Sequence, residues 1–380
     1  MKKSILLSAL ALVAFAGCSK TEVKPVEDAP AQISWNAVVG KASTKAMIDD
    51  TKYPVTEHFG TFAFFNQNGD FSTNFADASK YIYNEEVSNP TEVESGNAWK
   101  TSVTYYWPKN GKLTFFSYSP YGDLKDVTSC TATYGVTISD WNVHENQDVD
   151  VMIADIQRDQ THNLDNGGYN GVPTIFRHKL TQIVKFEIAT AADYSNNHDE
   201  ENAKKGDVFF FLNGISINGV KYQGTYNSAN NVDGTNLGAW TPKNETKDYD
   251  WYSNTTSPMA FGYTKKDVPK SDVTSNYLLV LPQTFEKNNG AYIEISYTMR
   301  SYNADKSATE QNYTDVPETV KAYLYDIHST GHYTDGHGTE HAFAMNKKIT
   351  YTITVDYSNN IIYWAPSVEP WEEETYTVTF

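Results

Sequence analysis

Four histidines lie within fourteen residues of this 380-residue chain, in the segment HSTGHYTDGHGTEH. They are His328, His332, His337 and His341, and imidazole is a common neutral ligand of transition metals. Structural zinc sites, however, place Cys and His at fixed spacings on a hairpin or a helix, whereas this segment is rich in glycine. We therefore predict a solvated loop here rather than a metal site, and we predict no cofactor.

A group of acidic residues is the second place where ligand chemistry is conceivable. Asp148, Asp150 and Asp155 could offer carboxylate oxygens to calcium, but the segment lacks the glycine and the bidentate glutamate of an EF-hand loop. The sequence contains no GxSxG, Walker A, HExxH or CxxC motif. Because no nucleophile or acid–base pair is marked by spacing, the sequence predicts a binding or assembly protein, not an enzyme.

Cys18 is one of only two cysteines in the chain, and it directly follows an apolar run. The run, residues 5–16, is preceded by two lysines and is shorter than the roughly 20 residues that span a bilayer as a helix. Together with the tetrad FAGC, it resembles the lipobox of a bacterial lipoprotein, in which the cysteine is acylated. We predict a signal peptide over residues 1–17 and lipid attachment at Cys18; an ordinary signal with a chance cysteine is the alternative. Cys130 is expected to be a buried, unpaired, small apolar residue.

Two lysines stand among small residues in the segment GKASTKA, residues 40–46. This composition is typical of an exposed segment that proteases reach. An ordinary loop between strands is the other interpretation. A cut by a trypsin-like protease would separate the lipid anchor and a strand predicted over residues 33–39 from the rest, so residues 18–45 are assigned to a linker, the first strand and a cleaved propeptide. The predicted cleavage bond is Lys45–Ala46, with Lys41–Ala42 as the alternative.

Residues 375–380 alternate in the way that a strand does. Threonines separate Tyr376, Val378 and Phe380, after Pro370-Trp371 and three glutamates. A β-sandwich that has lost a strand exposes unpaired backbone groups and empty apolar pockets, and an extended segment from another molecule can fill them. We predict that these three side chains belong to such a donor strand; the alternative is the last strand of its own domain.

Charge and composition narrow the class of protein. The net charge is −17, and it becomes −19 when the two lysines of the predicted signal are removed, which argues against nucleic acid as a partner. Aromatic residues make up 14% of the chain, with 27 tyrosines, as is typical of secreted β proteins.

Short apolar segments separated by Gly, Asn, Asp and Pro predict many strands and no helix longer than about two turns. Asn110-Gly111 predicts a hairpin that joins the third and fourth of these strands. His178 is expected at the edge of the core, hydrogen-bonded to the backbone. The pattern indicates an all-β fold with two β-sandwiches in series. The predicted strands cover residues 33–39, 61–65, 103–107, 113–118, 175–188, 208–217, 276–281, 291–299, 320–325 and 348–356.

Several segments, in their order along the chain, resemble the fimbrillins of Bacteroidales, the lipoprotein-derived subunits of type V pili. They are the lipobox followed by a strand and GKASTKA, YYWPKNGKLTFFSYSP at 105–120, DVMIAD at 150–155, FRHKLTQIVKFEI at 176–188 and NKKITYTITVDYSNNIIYW at 346–364. The resemblance implies two tandem transthyretin-like β-sandwich domains and export as an outer-membrane lipoprotein. It also implies removal of the first strand by a trypsin-like, often Arg-specific protease, and strand exchange with the next subunit. No arginine lies near Lys41 or Lys45, so an Arg-specific protease would not process this chain.

The predicted function is therefore a structural pilus subunit that supports adhesion or biofilm formation on the cell surface. Its predicted domains are an N-terminal sandwich over residues 46–178 and a C-terminal sandwich with the donor tail over residues 179–380. Its predicted partners are the same or related pilin subunits, the maturation protease and, before cleavage, the outer membrane through the lipid; nucleic acid is excluded.

Two alternatives remain open from the sequence. One is a pilus tip subunit. The other is a monomeric surface lipoprotein that binds a glycan or a host ligand, with aromatic side chains stacked on sugar rings. The aromatic residues considered for that role are Trp240, Trp251, Tyr252 and Tyr263.

Overall fold

The computed structural model describes residues 31–39, 51–91, 99–162, 171–228, 238–272, 275–287, 290–329, 341–359 and 361–371. Within these ranges the chain forms 25 strands and five short helical turns. The first eleven strands are β1 (Trp35–Val39), β2 (Thr51–Lys52), β3 (Phe59–Asn66), β4 (Ser79–Ser88), β5 (Lys100–Thr101), β6 (Lys112–Ser119), β7 (Thr128–Thr131), β8 (Gly135–Asn142), β9 (Met152–Ala154), β10 (Gln157–Gln160) and β11 (Val172–His178).

The other fourteen strands are β12 (Thr181–Thr190), β13 (Val208–Lys221), β14 (Gln223–Asn227), β15 (Ala239–Pro242), β16 (Thr246–Ser253), β17 (Met259–Phe261), β18 (Lys266–Val268), β19 (Leu278–Val280), β20 (Gln283–Thr284), β21 (Tyr292–Tyr302), β22 (Tyr313–Tyr323), β23 (Ala342–Phe343), β24 (Lys347–Asp356) and β25 (Ile361–Pro370). The helices are α1 (Phe71–Asn74), α2 (Tyr121–Leu124) and α3 (Leu324–Ile327), with 3₁₀ turns at Phe75–Asp77 and Glu200–Asn202. In the described part of the chain, no helix is long and apolar enough to cross a membrane.

The all-β class is confirmed, and the clearest layering is in the C-terminal half. One sheet has the order β18-β12-β24-β25 with β19 also on β12, and the other has the order β16-β13-β21-β22 with β17 also on β13. Alternation along β24 explains the packing, since Ile349, Tyr351 and Ile353 are buried while the threonines between them are half-buried. They pack with the apolar faces of β12, β13 and β21 in one core.

A nine-stranded sheet dominates the N-terminal half, with the order β2-β1-β11-β9-β6-β3-β4-β5 and β10 on β6. Successive residues of β3 point to opposite faces, so Phe62 and Phe64 join one core cluster while Phe59 and Ala63 join another. The sheet β15-β14-β8-β7 contributes to the cluster of Phe62. Its strands come from residues 128–142 and 223–242. The domain division after residue 178 and the transthyretin-like arrangement stay predictions.

The predicted hairpin around Asn110-Gly111 is wrong. Residues 103–107 form no strand beyond an isolated bridge, and β6 pairs with β3 instead. The backbone of this segment is used elsewhere: the Tyr105 carbonyl accepts from Ile33 N at 2.9 Å, and Trp107 N donates to the Ala31 carbonyl at 2.9 Å. A contact with the start of the chain has therefore replaced the local turn pairing.

The strand predicted over residues 175–188 divides into β11 and β12. Between them, Lys179 N donates to the Val151 carbonyl at 2.8 Å, and the Leu180 carbonyl accepts from Asn346 N at 3.0 Å. Leu180 is fully buried, so an apolar residue interrupts the strand without reaching solvent. Residues 324 and 325, predicted as strand, lie in α3 instead.

Candidate functional site: the first strand and its groove

Strand β1 lies inside the nine-stranded sheet with neighbours on both edges. It runs parallel to β11, in a register from Trp35↔Val172 to Val39↔Phe176. On its other edge it meets β2 near its end, while Trp35 N donates to the Trp99 carbonyl at 3.0 Å further back. The strand predicted from the alternation of residues 33–39 is thus present, and it occupies an interior position rather than an edge.

Three side chains anchor this segment in the core. Ile33, Trp35 and Ala37 are 1%, 0% and 6% exposed. The indole of Trp35 stands edge-on to Phe115, with ring centroids 6.1 Å apart and planes at 90°. No described residue accepts a hydrogen bond from Trp35 Nε1. The pocket therefore holds this ring by shape and apolar contact, so any large apolar side chain of suitable shape meets its requirements.

A glycine lets the start of β11 lie close to the residue before β1. We call the space between β11 and the residues on the other side of β1 the groove of β1. Val172 N donates to the Ser34 carbonyl at 2.8 Å. Gly171 has φ +102°, and a Cβ there would lie 2.8 Å from the Ser34 carbonyl oxygen. Only glycine combines this backbone conformation with this approach, so the position allows a strand to lie tightly against β11.

Removal of β1 would leave a slot with two unpaired edges. The inner edge of β11 would lose its parallel partner. The carbonyls of Trp99 and Tyr105 would lose the hydrogen bonds that they accept from Trp35 N and Ile33 N. The apolar pockets of Ile33, Trp35 and Ala37 would open between these edges. A slot of this kind binds an extended segment whose apolar side chains follow at every second position.

Most sequence-predicted site residues lie outside the described residues. The lipidation, cleavage and donor-strand assignments therefore stay predictions, and what the structure describes is the position of β1 in its sheet. The residues outside are Cys18, Lys41, Ala42, Lys45, Ala46, Tyr376, Val378 and Phe380.

The solvated loop predicted around the histidines is wrong at its first member. His328 is fully buried, and its Nε2 lies 2.7 Å from the hydroxyl of Tyr351. Desolvation is the main cause that lowers the pKa of His328 to about 3. The ring of His341 stacks on Tyr325 with centroids 3.6 Å apart. His332 and His337 lie outside the described residues, and within those residues no group of three His, Cys, Asp or Glu side chains is placed to hold a metal.

Two of the three aspartates considered for calcium are paired with cationic or imidazole groups. Asp155 accepts two bonds from Arg177, at 2.9 Å from Nε and 2.8 Å from Nη2. Asp150 Oδ2 lies 2.6 Å from His178 Nδ1. His178 is 9% exposed, at the edge of the core as expected, but this nitrogen bonds a carboxylate rather than the backbone.

The aromatic residues considered for glycan stacking belong mostly to the core. Trp240 and Trp251 are 9% and 2% exposed, and their Nε1 groups donate to the carbonyls of Lys179 and Val268. Tyr252 is also buried, whereas Tyr263 is exposed. The stacking role is therefore wrong for the first three.

Cys130 is confirmed as a free, buried thiol. Desolvation raises its pKa well above the usual value, so the group is apolar in practice.

The chain resembles a known protein family and several solved structures. The family described as fimbrillin-like matches residues 44–371, a range that begins after β1. A fimbrial protein from Bacteroides vulgatus shares the fold with a TM-score of 0.56 at 17% identity, over 82% of this chain and 92% of that chain. A fimbrilin from Porphyromonas gingivalis matches with a TM-score of 0.40 at 8% identity, over 90% of this chain and 98% of that chain. None of the curated proteins matches the sequence significantly.

Proposed function

Because the chain belongs to the fimbrillin-like family, we propose that it is a structural pilus subunit that polymerises by strand exchange through the groove of β1. Family membership and the fimbrial neighbour support a pilus subunit or adhesin at the cell surface, and they point to a structural, non-enzymatic protein.

In the proposed sequence of events, the chain is exported as an outer-membrane lipoprotein acylated at Cys18. A trypsin-like protease cuts after Lys45, or after Lys41, and β1 leaves with the propeptide. The segment that carries Tyr376, Val378 and Phe380 then enters the groove of another subunit. The resulting polymer would support adhesion or biofilm formation.

The observation that carries the proposal is the seat of β1. Its five residues occupy an interior position of a large sheet, yet the predicted cleavage bonds follow it directly in the sequence. Loss of an interior strand leaves both hydrogen-bonding edges and apolar pockets open, which is a strong drive toward another strand of similar pattern. Tyr376, Val378 and Phe380 provide the required apolar residue at every second position.

Limited trypsin digestion of the full-length protein tests this. We expect a cut near residue 45 followed by growth of SDS-resistant oligomers, with the released peptide identified by mass spectrometry. A chain with both Lys41→Ala and Lys45→Ala should stay monomeric under the same digestion.

The donor segment has its own control. Val378→Asp should be cut as the wild type is, because the substitution lies far along the chain from the cleavage bonds, but it should not form oligomers because a charge cannot enter the apolar slot. Complete cleavage of the wild type without oligomers at any protein concentration would contradict the stalk role.

A further inference from the structure

Two aromatic rings stack where the last described residue meets the end of β11. The imidazole of His178 and the indole of Trp371 have centroids 4.2 Å apart and planes within 7° of parallel. The indole is also packed against the cluster that includes Phe62 and Leu180. Residues 372–380, which contain the proposed donor strand, follow directly.

The imidazole is held in its plane by a carboxylate. His178 Nδ1 lies 2.6 Å from Asp150 Oδ2, and an ionised carboxylate only accepts, so Nδ1 carries the donated proton. The other oxygen, Asp150 Oδ1, is buried without a hydrogen-bond partner among the described residues.

The backbone fastens the same point. Trp371 N donates to the Asn346 carbonyl at 3.0 Å, and Asn346 N donates in turn to the Leu180 carbonyl at 3.0 Å. Trp371 is thus tied to the junction between β11 and β12 through both its ring and its backbone. Because Phe176 pairs with Val39, His178 stands two residues beyond the end of the β1 register. The start of the tail and one wall of the groove therefore share β11.

We propose that His178 is a positioning residue, oriented by Asp150, that clamps Trp371 and so holds in place the residue from which the proposed donor segment starts. This inference rests on the proposed function and specifies how its donor segment is presented. A segment rooted at a fixed point loses less conformational freedom when it docks than one whose root is loose. The clamp therefore favours assembly through the attached donor segment, and it leaves the affinity of the groove for a free peptide unchanged.

The test uses full-length protein cut by trypsin, with oligomer growth followed over time on SDS gels. Trp371→Ala and His178→Asn should assemble about tenfold more slowly than the wild type, which corresponds to ordering about one extra residue. The asparagine keeps a donor for Asp150 but removes the ring. Trp371→Phe keeps a ring that can stack and should restore most of the rate.

Two controls separate positioning from a loss of folding. Trp364→Ala removes an indole from β25, the strand that ends just before Trp371, but that indole packs against the C-terminal core. Urea unfolding gives the folded fraction of each protein. At equal concentrations of folded protein, this variant should assemble at the wild-type rate. A labelled peptide of residues 372–380, added to cleaved protein, should bind the groove of Trp371→Ala as tightly as that of the wild type.

The outcomes are distinguishable. Wild-type assembly rates in both Trp371→Ala and His178→Asn would overturn the clamp and leave strand exchange standing. Weaker peptide binding by Trp371→Ala would also overturn it, because the groove itself would then have changed. If cleaved wild-type protein neither polymerises nor binds the peptide, strand exchange fails and the clamp fails with it.

Discussion

The described residues contain two parallel strand pairs, one in each half of the molecule, and the two pairs differ in length. In the N-terminal half, the five residues of β1 lie along β11. In the C-terminal half, the ten residues of β12 lie along β24 in a register from Thr181↔Lys347 to Thr190↔Val355, and β24 carries the whole of β25 on its other edge. The first pair is short enough for one strand to be exchanged, whereas the second pair is long and forms the framework of its half.

The side chains of the two pairs also belong to different cores. Trp35 packs with Phe115 and Phe176 in one cluster, while Phe186 packs with Tyr351 in another. A change in the first cluster can therefore act on β1 without opening the second. This separation is what would let proteolysis remove a strand from a sheet and leave a folded subunit behind.

The largest expected effect comes from the C-terminal pair. Phe186 stacks on Tyr351 and lies 5.0 Å from the ring of Trp251, and Phe186→Ala should lower the free energy of unfolding by about 3–5 kcal/mol. Urea unfolding measures the loss. Trp35→Ala removes an equally buried ring, but hydrogen exchange should show faster opening of β1 with the amides of β24 unchanged. Equal loss of protection in β1 and β24 would contradict the separation of the cores.

A smaller effect is expected at the glycine beside β1. Gly171→Ala introduces strain at φ +102° and a contact with the Ser34 carbonyl, and it should cost about 1–3 kcal/mol and speed trypsin cutting near residue 45. Gly206→Ala is the matched control, because its φ is +96° but nothing lies within 4 Å of the added Cβ. It should show the strain without the faster cutting. Equal cutting rates in the two variants would argue against a tight seat for β1.

The smallest effect is a pH dependence of the C-terminal half. His328 is neutral in the folded core with a pKa of about 3, whereas the unfolded chain binds a proton below about 6.5. The stabilisation is complete above pH 6.5 and is lost as the pH falls toward 3, by about 1.4 kcal/mol between pH 7.5 and 5.5. Urea unfolding of the wild type and of His328→Gln at both pH values measures it. The variant should lack this component, and an identical pH dependence in the two proteins would contradict it.

The sequence predicts much of the strand content because alternation is local. The alternation of residues 33–39 and of residues 348–356 predicts strands, and β1 and β24 lie there. The hairpin at Asn110-Gly111 failed because Tyr105 and Trp107 bond the segment before β1, which lies far away in the sequence. A turn motif gives no information about such a competing partner.

Strand β1 was predictable from its alternation, but the pockets that hold its side chains were not. The burial of Trp251 could be read from the sequence, since Tyr249 and Trp251 flank the exposed Asp250 in the alternation of a half-buried strand. Nothing local indicates that His178 meets Trp371, because nearly two hundred residues separate them in the sequence. The same holds for the burial of His328 beside Tyr351.

The sheet β15-β14-β8-β7 has a mechanical consequence for a fibre built from such subunits. Hydrogen bonds between β8 and β14, from Asn142↔Gln223 to Thr137↔Asn227, join two segments about 80 residues apart in the chain. In a filament of the proposed kind, tension would therefore be shared between the covalent chain and this ladder. Each subunit should therefore resist stretching as one unit, and its two predicted domains should not extend independently.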